Sequence, residues 1–150
     1  MISDEIKLHY GCGDLKFGMT REEVEKLLGK NYKVDNENYG EFGFFLEYED
    51  LGLDLAFMEE DDFRLGVITF SDSRYKLGAD KIIGVTEEQM KKNLQKNGFE
   101  SVVKDEELSE DELVVYFSEK LGLTINIVDK IVTDVIISVD LDDEGEPIWL

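Results

Sequence analysis

Cysteine, histidine and proline are scarce in this chain of 150 residues, which contains one of each. The single cysteine, Cys12, cannot form a disulfide within the chain, and this is typical of proteins from a reducing compartment. Cys12 and His9 are too few for a structural zinc site, which needs about four nitrogen or sulfur ligands. No third group is identifiable that would orient His9 as the base of a cysteine nucleophile, and no glycine-rich phosphate loop is present. We therefore expect no catalytic residue, metal or cofactor.

Basic residues are also few, with 16 Lys and Arg against 36 Asp and Glu, which gives a net charge of −20. Because no Lys/Arg cluster could follow a phosphate backbone, nucleic-acid binding is disfavoured. No apolar run approaches the ~20 residues that span a bilayer, and the first residues lack the pattern of an export signal. We expect a cytoplasmic protein without membrane contact. Its charge favours a monomer when free and rapid encounter with a basic protein partner.

The chain should nevertheless fold, because 42% of its residues are hydrophobic. One helix has complete start and stop signals. Thr20 and Glu23 have the spacing of a capping box, in which each side chain accepts a hydrogen bond from the other residue's backbone. Val24 and Leu28 then lie on one face, and Gly29 supplies the residue that ends the helix.

A second helix start lies 66 residues downstream, where Thr86 and Gln89 repeat the capping-box spacing and Met90 and Leu94 repeat the apolar positions. Each helix precedes three strand-like segments, with shorter strands possible at 32–34 and 99–103. The predicted strands are 41–49, 53–58 and 65–71 in the first half, and 112–118, 123–128 and 131–141 in the second.

A repeat of about 66 to 70 residues explains this order best. We predict an α+β fold of two tandem α-β-β-β(-β) repeats, residues 1–78 and 79–150, which together form one compact unit. Tight connections make the strands antiparallel, and one helix per repeat covers only one sheet face.

The strand alternation leaves the other face open, with carboxylates beside exposed apolar groups. The predicted partner-binding residues include those that the alternation assigns to this face. Two aromatic residues are added, Tyr116 and Trp149, because the sequence does not decide whether their side chains are exposed. The full set is Phe45, Glu47, Glu49, Asp54, Met58, Tyr116, Asn126, Asp134 and Trp149. The alternative for each apolar residue is packing between the sheet and a neighbouring loop.

The segment Gly18-Met19-Thr20, followed by Glu23-Val24 and Leu28-Gly29, resembles the helix-start signature of the BLIP/SmpA-like superfamily. This superfamily includes beta-lactamase inhibitor protein and the BamE lipoproteins. The resemblance implies one curved antiparallel sheet with both helices on its convex side, and a concave face that in the inhibitor grips another protein. It transfers no catalytic residue, because the shared motif is a helix cap.

These observations favour a non-enzymatic, acidic protein-binding module, such as an immunity protein that occludes the basic active-site cleft of a toxin, for example a nuclease. Two alternatives stay open: an envelope-associated assembly protein of the SmpA/BamE type, and a small enzyme that uses carboxylates and a divalent ion. Residues 140–145 resemble the first half of a calcium loop, but the glutamate expected at its twelfth position is absent.

Overall fold

The computed structural model describes residues 3–35 and 42–150 and has an α+β fold made mostly of strands, as predicted. Its helices are α1 (Arg21–Leu28) and α2 (Glu87–Lys96). Neither helix in the described part of the chain is long and apolar enough to cross a membrane.

The strands of the described residues form two sheets, of eight and five strands. The strands of the smaller sheet are β1 (Glu5–Lys7), β2 (Gly11–Cys12), β3 (Leu15–Lys16), β8 (Lys76–Leu77) and β9 (Asp80–Lys81). Those of the larger sheet are β4 (Lys33–Asp35), β5 (Gly43–Tyr48), β6 (Leu53–Met58), β7 (Leu65–Phe70), β10 (Val103–Lys104), β11 (Leu113–Ser118), β12 (Leu123–Val128) and β13 (Ile131–Ser138).

The larger sheet is antiparallel throughout, in the order β10-β11-β12-β13-β7-β6-β5-β4, so the β7–β13 pair joins the two halves of the chain. The predicted strands 53–58 and 123–128 have the observed bounds. The predicted strand 131–141 is three residues too long, because the strand ends at Ser138. Residue 41, predicted to begin a strand, lies outside the described residues.

Both helices lie on the same face of the larger sheet. The hydroxyl of Tyr48, in β5, donates to the backbone oxygen of Gly29 at the end of α1 over 2.7 Å. The hydroxyl of Tyr116, in β11, donates to Glu87 in α2 over 2.7 Å. The strand register places these two tyrosines in one row across the sheet, through buried residues of the intervening strands.

The smaller sheet also packs on this face, which the sequence analysis assigned to the helices alone. Its parallel β1–β8 pair joins the first residues of the chain to the segment between the two halves. Tyr75, next to β8, packs edge-on against Phe70 with ring centroids 4.8 Å apart, and its hydroxyl donates to the backbone oxygen of Leu51. The covering layer therefore consists of two helices and a second sheet.

Both helices begin at the predicted threonines, but only the first has the complete predicted capping box. Thr20 and Glu23 form the complete capping box. The Thr86 side chain accepts from the backbone N–H of Gln89, but the Gln89 side chain donates along the helix to Asn93 instead of forming the return bond. The predicted second capping box is therefore only half formed.

Candidate functional site on the open sheet face

The face of the larger sheet opposite the helices, here called the open face, carries one continuous row of side chains across all eight strands. Alternation along each strand and the register of each pair place these residues side by side. From β4 to β10 the row is Lys33, Glu47, Asp54, Thr69, Ile136, Thr124, Phe117 and Val103.

The open face gathers carboxylates from β4, β5, β6 and β13. Glu47 and Asp54 are directly opposed on β5 and β6. The pKa of Asp54 is raised above its usual value, first by burial and then by the negative charges of Glu47, Asp134 and Asp35. These four residues, Asp35, Glu47, Asp54 and Asp134, are here called the acidic strip. The negative charges of the other three residues therefore disfavour the charged form of Asp54.

The side chain of Asp134 is held in place by its neighbours. Asn126, opposite it on β12, donates to one carboxylate oxygen over 2.7 Å, and the Thr133 hydroxyl donates to the other over 2.9 Å. A register shift between Asn126 and Ile127 marks this point of the sheet. The predicted residues Asn126 and Asp134 thus form one hydrogen-bonded pair on the open face.

The other first-half residues predicted for the site lie in β5, in β6 and in the turn between these strands. Phe45 is half-buried on the open face, opposite Asp35 and Ala56. Met58 covers Gly43, where a Cβ would lie 2.6 Å from the methionine sulfur. Glu49 lies beyond the end of β5 in a short 3-10 turn (Glu49–Leu51).

The one basic residue of the row is already engaged. The Lys33 amine lies 3.5 Å from the exposed carboxylate of Glu49. Lys33 is thus paired with a residue outside the acidic strip.

Two predicted residues do not belong to the open face. Tyr116 points to the helix-facing side of β11, is 7% exposed and binds Glu87. Burial and the Glu87 carboxylate raise its pKa to about 12. Trp149 is half-buried against the core, with its ring 3.3 Å from where a Cβ of Gly18 would lie. The structure thus decides the exposure that the sequence left open: neither residue is an exposed side chain on the open face.

The aromatic residue on the open face of β11 is Phe117, which the sequence analysis did not select. It is 39% exposed, and it pairs with Thr124 on β12. The strand is apolar at five consecutive positions from Leu113 to Phe117, so its own sequence carries no alternation that would separate the two faces. The clearer alternation of β12, where Ile125 is buried, could have identified Phe117 through the strand register.

A groove of about 710 Å³ lies on the second half of the open face. Val67, Phe117 and Ile136 contribute apolar side chains to its lining, and a C-terminal segment that follows β13 contributes carboxylates. In that segment one oxygen of Asp142 accepts from the backbone N–H groups of Glu144 and Glu146. The stretch that resembles a calcium loop thus closes on itself. Within residues 3–35 and 42–150, no group of three or more His, Cys, Asp or Glu could hold a metal ion.

Cys12 and His9 have separate environments. The Cys12 side chain is fully buried, and burial together with the charges of Asp4 and Glu5 raises the pKa of its thiol to about 12. The His9 Nδ1 atom lies 3.3 Å from Asp140. Cys12 therefore lacks the thiolate character that a nucleophile needs.

Comparisons of the chain with protein-family models, with curated proteins and with solved structures found no match. The resemblance to the BLIP/SmpA-like superfamily therefore stays a prediction, and any functional argument rests on the geometry and charge of the open face.

Proposed function

We propose that this chain is a non-enzymatic protein-binding module whose open face docks onto a basic protein. In the most specific form of the proposal it is an immunity or inhibitor protein that covers the basic active-site cleft of a toxin, such as a nuclease. It would be a cytoplasmic protein that is monomeric when free of its partner, and the charge of −20 and the single unpaired cysteine support this.

The observation that carries the proposal is the placement of Glu47 directly opposite Asp54 on the open face, with Asp134 and Asp35 close enough to raise the pKa of Asp54 further beyond the effect of burial. Glu47, Asp134 and Asp35 disfavour the charged form of Asp54, so the free protein holds these carboxylates together at a cost in free energy. A partner that brings lysine or arginine side chains to the strip would remove this repulsion. Such complementarity speeds association and opposes binding to acidic proteins.

Apolar side chains beside the acidic strip support a protein partner over a free cation. Phe45 lies next to Asp35 in the strand register, and Met58 lies further along the same face. Aromatic residues and methionine are enriched at the centres of protein interfaces. Together with the carboxylates they form a surface of mixed polarity that suits a folded partner.

We further propose that the fold arose as a tandem repeat, 1–78 and 79–150, with both helices on the convex side of a curved sheet. In support, each half has a helix followed by four strands of the larger sheet, arranged symmetrically about the β7–β13 pair. Gly52 and Gly122 both follow a tight turn at similar positive φ, 63° and 59°, and lie 70 residues apart. A concave open face would fit around a convex partner.

The proposal can be tested by affinity capture from the native host with the wild-type chain and two charge-reversed double variants. Glu47→Lys/Glu49→Lys changes the open face, and Glu88→Lys/Glu100→Lys makes the same change of charge on α2 and just beyond it. We expect basic proteins to be recovered by the wild type and the second variant and lost with the first. The purified partner should then lose its activity on stoichiometric addition of the wild-type chain. Equal recovery with both variants would refute the electrostatic docking surface.

A further inference from the structure

The groove on the second half of the open face differs in character from the acidic strip. Its apolar lining comes from three strands: Val67 in β7, Ile136 in β13 and Phe117 in β11. Phe117 remains 39% exposed in the free chain, although aromatic side chains gain much free energy from burial. A partner side chain that covered it would remove this apolar surface from water.

The rim of the groove is acidic. Asp140, Asp142 and Asp143 follow β13 on one side, and Glu119, from the turn after β11, also lines the groove. Among the described residues that line it there is no lysine or arginine. His9, also at the rim, lies against Asp140. An apolar floor inside a ring of carboxylates is complementary to an apolar side chain that has cationic neighbours.

We infer that this groove receives a large aromatic or aliphatic side chain of the basic partner, while lysine or arginine residues beside that side chain contact the rim. This inference rests on the proposed function and assigns a specific subsite to it. The groove volume is within the range of about 300 to 1,000 Å³ that holds drug-sized ligands, so a side chain as large as indole fits.

The position of the groove links it to the acidic strip. Thr69 pairs with Asp54 of the strip on one side and with Ile136 of the groove on the other. Asp134 of the strip and Ile136 of the groove also lie in the same strand, β13, so the strip and the groove adjoin. Neighbouring strands lie about 4.8 Å apart, and a partner that contacts the strip therefore reaches the groove within the same footprint. The strip would attract the partner, and the groove would select for an apolar anchor between basic residues.

The inference can be tested by NMR titration of the ¹⁵N-labelled full chain with three blocked tripeptides. The probe is lysine–tryptophan–lysine, and the controls are lysine–alanine–lysine and glutamate–tryptophan–glutamate, which remove the aromatic group and reverse the charge. We expect the probe to shift the amide signals of Phe117, Ile136 and the segment 140–143. Both controls should bind at least about tenfold more weakly.

Two variants and two matched controls connect the shifts to the groove. Phe117→Ser and Asp143→Lys should each weaken binding of the probe, Phe117→Ser by about tenfold. Phe63→Ser removes a phenylalanine of similar exposure, 43%, outside the groove, and Glu100→Lys reverses a charge beyond α2. Both controls should bind the probe as the wild type does.

Three results would overturn the inference: equal affinity for the alanine peptide, equal affinity for the glutamate peptide, or no binding of the probe at millimolar concentration. A weakening by Glu47→Lys/Glu49→Lys with no effect of Phe117→Ser would refute the groove and leave the proposed function intact. Failure of the capture experiment alone would refute the proposed function, because the peptide titration does not depend on it.

Discussion

On the helix-facing side of the larger sheet, Leu55 of the first half and Ile125 of the second are both fully buried. They lie in β6 and β12, strands at equal distance from the central β7–β13 pair. On the open face of those same strands, Asp54 in β6 corresponds to Thr124 in β12. The two halves thus match where they pack against the covering layer and differ where they face solvent.

The contrast continues one strand outward, where Glu47 in β5 corresponds to Phe117 in β11. The requirements of packing explain the matched side, since each position there must supply apolar volume to one shared core. No packing requirement explains why Asp54 and Glu47 on the first-half strands correspond to Thr124 and Phe117 on the second-half strands of the open face. We therefore attribute this asymmetry to the function of the open face.

The largest expected effect tests whether both halves share one core. Ile68 and Ile137 are fully buried and directly paired across β7 and β13. We expect Ile68→Ala and Ile137→Ala each to lower the free energy of unfolding by about 2 to 5 kcal/mol, as measured by urea denaturation. The exposed Ile131→Ala is the control and should cost much less. Two separate unfolding transitions would show that the halves fold independently.

A smaller effect concerns the helix starts, which are similar in the two halves. Thr20→Ala and Thr86→Ala should each cost about 1 kcal/mol of stability, because each threonine accepts a backbone hydrogen bond at the helix N-terminus. Thermal unfolding measures the loss. Partner binding should be unchanged, since both helices lie on the face opposite the docking surface. Loss of binding at an unchanged melting temperature would make the helix start a contact site.

A still smaller effect distinguishes the open faces of the two halves. The pKa of Asp54 is raised in the folded state, so its contribution to stability is present at low pH and is lost as the pH rises through the folded pKa. Asp54→Asn should therefore increase stability at pH 7, by less than about 1 kcal/mol because solvent partly screens the site, and should not do so at low pH. Thr124→Asn, at the corresponding second-half position, is the control. Urea denaturation at both pH values measures the free energy of unfolding, and the control should show no pH-dependent increase in it. An increase for Asp54→Asn that persists at low pH would argue against charge repulsion.

The smallest expected effect is a difference in stability between variants of the two capping boxes. Glu23 closes the box of α1, and its hydrogen bonds with the Thr20 backbone and hydroxyl lower its pKa. Gln89 makes no return bond to Thr86 and donates to Asn93. Glu23→Ala should lower the melting temperature slightly, whereas Gln89→Ala should leave it nearly unchanged. Equal decreases would show that the second box also closes in solution.

The strands of the larger sheet could be predicted because their sequences carry long-range periodicity. In β12, Leu123, Ile125 and Ile127 alternate with smaller or more polar residues, and both bounds of the strand were predicted correctly. The smaller sheet was missed because its strands have only two or three residues, too few to show a period. Its β1–β8 pair also joins segments about 70 residues apart, which no local pattern records.

The same reasoning explains which parts of the candidate site could be predicted. Glu47 and Asp54 alternate with the buried Leu46 and Leu55, so their face follows from the sequence. The face of Phe117 does not follow from its own strand, because its neighbours on both sides are apolar or neutral, and it could be assigned only through the pairing with β12. The groove was not predicted either, because its rim depends on how the chain folds back after β13.

The most direct test of the docking surface is the affinity of the purified basic partner at two ionic strengths, about 0.1 M and about 1 M, where the Debye length falls from about 10 Å to about 3 Å. We expect Glu47→Lys/Glu49→Lys to weaken binding by about 10- to 100-fold at the lower ionic strength and by much less at the higher. The control Glu88→Lys/Glu100→Lys should match the wild type at both. An affinity that is insensitive to salt, or equally reduced in both variants, would contradict the claim that the acidic open face binds the partner.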